Sequence, residues 1–346
     1  MIHYKIGSSH PAAHYFDISL HIPQPDPRGQ LLRLPAWIPG SYMIRDFARN
    51  IIELAAYCHD ETLDITQLDK SSWRLAPCSD AVEVKYRVYA WDLSVRSAHL
   101  DTTHGFFNGT SVFLEVVGQA DEPCEVLILQ PTDKVCADWR LATTLPRKDS
   151  ATAPDDFSFG LFQAADYQEL IDHPVEMGLF EQFEFEACGL RHDVILTGQY
   201  RCDKQRLKSD LGRICAQHIR LFGEPAPMPR YMFLVMVVGE GYGGLEHRSS
   251  TSLLCSRNDL PQPGQDRMTE EYRNFLGLCS HEYFHSWNVK RIKPRVFDNP
   301  DLSVEVYTPL LWAFEGMTSY YDDLALLRSG CIEQQDYLEL LGQTIT

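Results

Sequence analysis

No stretch of the 346 residues approaches the run of about 18 apolar side chains that a membrane-crossing helix needs. The opening Met1-Ile2-His3-Tyr4-Lys5 lacks a basic segment leading into an apolar one, so no secretory leader is expected. Positive charge is in short supply: 31 Lys and Arg stand against 48 Asp and Glu, a net charge of −17. That balance argues against a nucleic-acid backbone or an anionic membrane as partner. The ten cysteines lack close spacing; none lies within three residues of another, which excludes a C-x-x-C knuckle or redox pair. Their scatter through contexts such as Ile214-Cys215 and Leu278-Cys279 reads as buried free thiols in a reducing, cytoplasmic compartment. Internal repeats and low-complexity tracts are also missing.

What is present suggests two domains, on length alone. Residues 1–170 read as β-rich. Ile2 to Ile6, Tyr15 to Ile22 and Val82 to Ala90 alternate apolar and polar side chains, and Ser111 to Val117 and Cys124 to Leu129 follow as further strands. Many short strands without intervening helices predict a sandwich-like domain. Two aromatic, loop-like segments, Pro35 to Phe47 and Asp101 to Thr110, are expected to pack against a second domain or to touch a ligand. Asn108-Gly109-Thr110 matches a glycosylation sequon but reads as a turn.

The β pattern fades between Ala164 and Gly189, and the second domain is taken as 171–346. His173, directly before a proline, reads as a loop residue. Asp203 to Phe222 has helical periodicity with Gly223 as a stop, and places His218 on the apolar face as a core residue. Arg230 to Val238 is a buried strand, running into Gly243-Gly244-Leu245-Glu246-His247. A helix is expected from Thr269, with Glu270 and Glu271 in its first turn. Another starts at Thr308-Pro309 and runs to Leu327, closed by Gly330; a last one begins near Glu333.

The helix from Thr269 ends in His281-Glu282-Tyr283-Phe284-His285. Two histidines four apart on a helix face the same way, one turn from each other. One Zn²⁺ can take both, and the glutamate after the first is placed to work on a water; this is the pattern of zinc peptidases. The bland alternative is a helix of packed core histidines. A catalytic zinc needs a third protein ligand and an open position. Glu315 sits among Trp312, Phe314 and Met317, where a carboxylate is costly to bury without a partner. Glu305 is the other candidate. Nineteen residues separate it from His285, and twenty-nine separate Glu315.

His281 to Arg291, together with Trp312-Ala313-Phe314-Glu315-Gly316-Met317-Thr318-Ser319-Tyr320-Tyr321, resembles the glycyl aminopeptidase family of gluzincin metallopeptidases. Pro35 to Phe47 and Phe106 to Thr110 resemble that family's N-terminal β-domain. The resemblance implies an α+β protein: a β-rich sandwich-like domain, then a thermolysin-like catalytic domain that lacks its C-terminal helical part. It implies one Zn²⁺ held by His281, His285 and Glu315, Glu282 as general base, and removal of small N-terminal residues such as Gly or Ala from peptides. Gly243-Gly244-Leu245-Glu246-His247 is similar to the strand on which the larger gluzincin aminopeptidase family binds substrate. This maps Glu246 onto the carboxylate that holds a free α-amine, with Gly243 and Gly244 beside the peptide. Glu305 lies nearer that larger family's spacing, so the third ligand stays open on count. Tyr320 is a further candidate for substrate contact. The family's transition-state tyrosine lies further downstream, which leaves a zinc-retaining but inactive peptide-binding or regulatory module as the alternative.

Overall fold

The alternation in Tyr15–Ile22 becomes a strand with those bounds in the computed structural model, which describes residues 1–149 and 151–345. The strand buries Phe16, Ile18, Leu20 and Ile22 on one face. It sits centrally in a seven-stranded sheet ordered Gly160–Ala164, Cys124–Ile128, Ile2–Gly7, Tyr15–Ile22, Val82–Tyr89, Ile51–Cys58, Glu61–Leu63. Ile2–Gly7 and Cys124–Ile128 run parallel; the other pairings are antiparallel. Lys5, Asp17, Ser19, Lys85 and Arg87 lie on the other face, so one side is core and the other solvated. Two four-stranded sheets complete this unit, which comprises Met1–Leu179 and Asp301–Val306.

Three expectations fail here for identifiable reasons. Ser111 to Val117 is not a strand: Gly109–Val112 is a helical turn, and only Glu115–Val116 pairs. Its carbonyls are taken by buried phenols. Tyr86 donates to Val112 O (2.8 Å), Tyr167 to Phe113 O (2.7 Å) and Tyr4 to Leu114 O (2.8 Å). Buried phenols must find partners, and these claim the groups a ladder would need. Second, β structure does not fade after Ala164. Val175–Gly178 pairs with His104–Phe107 and Arg140–Ala142, which carries the first unit to Leu179 rather than 170. Third, Pro35 to Phe47 packs within its own unit, with Trp37 Nε1 donating to Val304 O (2.9 Å) and Ala36 N to Leu302 O (2.7 Å). Asn108 of the sequon is fully buried, its amide donating to Val95 O at 2.9 Å. The cysteines also depart from expectation: Cys58, Cys78, Cys188, Cys202 and Cys331 are half-buried rather than buried.

The second unit, Phe180–Pro300 with Tyr307–Thr346, is built on a five-stranded sheet. Its order is Glu181–Ala187, Leu190–Gly198, Arg230–Val238, Ser250–Ser256, Gly243–Glu246, parallel in the middle and antiparallel at both edges. The central strand Arg230–Val238 reads as an almost unbroken apolar run, as expected where both faces are covered. Lys204–Phe222 forms the expected helix, capped by Asp203 accepting from Arg206 N (3.0 Å) and ended by Gly223 at φ +93°. Glu270–Phe284, hereafter the motif helix, is capped by Thr269 accepting from Tyr272 N (3.2 Å). Tyr272, Phe275, Leu276 and Tyr283 hold it in the core of this unit. Four such side chains contribute on the order of 10 kcal/mol as an upper estimate. Packing therefore does much to fix the orientation of this helix.

The helix predicted from Thr308-Pro309 to Leu327 is broken. Thr308 Oγ1 does accept from Leu310 N (3.2 Å), but the helix proper starts at Leu311, ends at Phe314, and resumes as Gly316–Arg328. Gly316–Arg328 is called the acid helix below. Gln334–Ile345 follows it. Among the described residues no helix is long and apolar enough to cross a membrane.

Candidate metal centre

The motif helix carries His281 on its last turn, and His285 caps it in a still-helical conformation (φ −61°, ψ −17°). The rings stand edge-on at 85°, with their Nε2 atoms 3.0 Å apart. Hydrogen bonds on the opposite nitrogens explain why. His285 Nδ1 lies 2.8 Å from the carbonyl O of Asn288, which can only accept, so Nδ1 carries the hydrogen and Nε2 keeps its lone pair. His281 Nδ1 meets Asp322 Oδ2 at 2.7 Å, which fixes that ring the same way.

The Glu315 carboxylate completes a triangle, its Oε2 lying 3.5 Å from His281 Nε2 and 3.7 Å from His285 Nε2. Glu315 occupies the break between the two helices rather than a mid-helix position. Two of its three apolar neighbours do not bury it: Phe314 is buried, but Trp312 is 67% exposed and Met317 44%. The expectation drawn from them is corrected, because those side chains point outward while the carboxylate points to the histidines. Glu305 lies exposed on the segment that belongs to the first unit and is not part of this group.

Asn288 ties the group together. Its backbone carbonyl orients His285, while its side-chain amide donates to Ala313 O (3.1 Å) and Phe314 O (3.3 Å), just before Glu315. Behind the metal-facing side, Ser280 Oγ donates to Asp322 O (2.9 Å). That hydroxyl has a single hydrogen, so it accepts from His218 Nε2 (2.8 Å). His218 is thus the hydrogen-bonded core residue expected, and burial pushes its pKa down to about 3. Tyr283, inside the motif, donates to His192 Nε2 (2.9 Å) and is a packing residue. His173 is likewise structural, bonded to Thr144 Oγ1 at 2.8 Å.

On the other side of the motif helix stands the edge strand Gly243–Glu246. Glu246 and Glu282 are buried, and with His285 they form a second close group. Glu246 Oε1 and Glu282 Oε2 have no hydrogen-bond partner among the described residues. A buried carboxylate oxygen without a partner is costly, so such atoms point to something bound. Burial and the charge of Glu246 push Glu282 up to about 7, against the opposing pull of His285 and His281. Burial alone would lower His281, but Asp322 and Glu315 outweigh it and raise it to about 11: the surroundings favour a cation at Nε2. Gly244 has a steric role. A Cβ there would stand 2.1 Å from Glu282 Oε1, so only glycine lets the carboxylate reach the strand. Tyr320 does not join these groups. It lies half-exposed with its ring against Tyr321, five residues past Glu315 and thus roughly 140° round the helix.

A divalent ion fits the triangle. Two ligand atoms about 2.1 Å from a shared zinc at the tetrahedral angle stand roughly 3.4 Å apart. The observed separations of 3.0, 3.5 and 3.7 Å bracket that value. Glu315, about one-third exposed, leaves a side open. Sequence reasoning missed Asp322 and the part played by Asn288. Asp322 was findable: Glu315, Thr318 and Asp322 share the spacing of one helix face, and an acid on a face that turns inward needs a partner.

Two imidazoles and a carboxylate thus converge within bonding reach of one shared ion. The Peptidase M61 N-terminal domain model matches residues 3–179, more than half of the chain, and the M61 glycyl aminopeptidase model matches 274–346. The chain belongs to the M61 glycyl aminopeptidase family. The crystal structure of an aminopeptidase N family protein from Idiomarina loihiensis is similar at TM-score 0.95 and 48% identity, over 99% of this chain and 57% of that one. The present chain thus spans little more than half the length of that relative. The M1 zinc metallopeptidase from Deinococcus radiodurans shares the fold at TM-score 0.52 and 12% identity, over 95% of this chain and 70% of that one. No curated protein matches the chain.

Proposed function

We propose that the chain is a zinc-dependent aminopeptidase acting on peptides with a free N-terminus and a small first residue, Gly or Ala. The observation that supports it most is the convergence of His281 Nε2, His285 Nε2 and Glu315 Oε2, with two partnerless buried carboxylate oxygens nearby. His281, His285 and Glu315 would hold one Zn²⁺. Bound there, zinc supplies Lewis acidity, which polarises a carbonyl and acidifies a water.

The chain's own residues do the rest. Glu282 accepts the proton of the attacking water and hands it to the leaving amine. Glu246 holds the substrate's ammonium through the oxygen that lacks an internal partner. The edge strand Gly243–Glu246 offers unpaired backbone groups to the peptide, which lies alongside as an added strand. Gly243 and Gly244 keep that approach clear of side chains. A carboxylate waiting for one ammonium selects chain ends over interior bonds.

Turnover of a Gly or Ala chromogenic amide by the zinc-loaded chain tests the reading. Glu282→Gln should lower kcat by roughly 10²–10⁴-fold, and acetylating the substrate's amine should abolish cleavage. Equal cleavage of the acetylated substrate removes Glu246 from its role. Zinc retention without any turnover favours the inactive peptide-binding module instead.

A further inference from the structure

Cys58 ends the strand Ile51–Cys58, and Cys78 lies between the strands Ser72–Leu75 and Val82–Tyr89 of the first unit. Twenty residues apart in sequence, their sulfurs are 2.6 Å apart. Other sulfur contacts in the molecule are longer: 3.3 Å for Ser329–Cys331 and 3.9 Å for Cys188–Ala216. Both side chains are half-exposed, so small reagents can reach them. His59 Nδ1 stands 3.6 Å from Cys58 Sγ.

The distance decides between two chemistries. Two thiolates about 2.3 Å from a common zinc would stand roughly 3.8 Å apart. The sulfurs here are much closer, near the length of about 2.05 Å of a disulfide. We propose that Cys58 and Cys78 are a disulfide-forming pair, a covalent modification site separate from the metal centre. One thiol attacks a sulfur of glutathione disulfide, forming a mixed disulfide and releasing one glutathione thiol. The second protein thiol then attacks the protein sulfur of that mixed disulfide, releasing the other. One protein S–S bond forms, one glutathione S–S bond breaks, and two electrons and two protons pass from protein to glutathione.

The bond would close a loop holding Glu61–Leu63, Ile65–Gln67 and Ser72–Leu75. The first is the outer strand of the seven-stranded sheet, and the other two belong to a four-stranded sheet. Constraining that loop in the unfolded chain should raise the Tm of the first unit by roughly 5–10 °C.

The test uses the full chain incubated with glutathione disulfide, alkylated, digested without reduction and mapped by mass spectrometry. A linked peptide pair containing Cys58 and Cys78, loss of two titratable thiols and a dithiothreitol-reversible rise in Tm are expected. Cys58→Ser and Cys78→Ala should each remove the rise. Alkylation of both cysteines after the oxidant, or glutathione on each without a link, overturns the proposal. So does one equivalent of a soft metal bound to the untreated chain and lost in Cys58→Ser.

Discussion

Each unit of this protein sets a pair of histidines beside an acid, and the two pairs differ in how their rings meet. In the first unit His99 and His104 lie on adjacent antiparallel strands next to Asp101. Their rings stack 4.8 Å apart at 24°, with Trp91 stacked on His99. In the second unit the rings of His281 and His285 meet edge-on at 85°. An imidazole lone pair lies in the plane of its ring. Stacked rings send their lone pairs along parallel planes, whereas edge-on rings can send theirs to one point. The acids differ as well. Asp101 Oδ1 accepts from Thr103 N and Oγ1 (both 2.6 Å) and His104 N (3.1 Å) and its Oδ2 faces only His99 Nε2 (3.5 Å), whereas a single oxygen of Glu315, Oε2, faces both Nε2 atoms. Proximity of three donor side chains is common to both pairs; ring orientation separates them, and in the second pair it is fixed by Asp322 on His281 Nδ1 and the Asn288 carbonyl on His285 Nδ1.

The largest effect should come from removing a ligand. His285→Ala should reduce bound zinc from one equivalent to none, by elemental measurement after dialysis, while His99→Ala keeps the full equivalent. Zinc lost in His99→Ala would break the comparison. Asp322→Asn leaves all three ligands but removes the carboxylate that orients His281. Losses of 10–100-fold in zinc affinity are expected for such a partner, read by competition with a chelating dye. Unchanged affinity would mean that ring packing alone holds His281.

The last effect belongs to the stacked pair and falls on folding stability, leaving bound zinc unchanged. Burial and the neighbouring His99 push His104 from 6.5 down to about 4, against the opposing pull of Asp101. Between those values the unfolded chain takes the proton and the folded chain does not. Stability is therefore lost as pH falls from about 6.5 to about 4, by up to about 3 kcal/mol. Denaturant midpoints of His104→Gln should be flatter across that window than those of the unaltered chain. Parallel curves would show that His104 does not titrate on unfolding.

Local periodicity was readable where one element decides its own structure. Tyr15–Ile22 and Lys204–Phe222 emerge as expected because alternation, an aspartate cap and a glycine stop all act within the element. The helix that carries His281, Glu282 and His285 was legible for the same reason. Features set by distant partners were not. Ser111 to Val117 reads as a strand until three tyrosines claim its carbonyls. The break at Glu315 has no glycine or proline before it in the helix, and the amide that grips Ala313 and Phe314 comes from Asn288. Trp312 and Met317 suggested burial that they do not provide. The meeting of Cys58 with Cys78 spans twenty positions and leaves no short motif.

The six residues Asp301–Val306 belong to the first unit, although both flanking segments belong to the second. The peptide between His285 and Glu315 is therefore a detour: midway it leaves its own fold to give Leu302 and Val304 carbonyls to Ala36 and Trp37. Its length answers to the needs of that other fold. Insertions or deletions there can accumulate without moving the acid, which is gripped locally from Asn288. Counting residues from histidine to acid then measures the size of the excursion and carries no information about the distance between the two side chains.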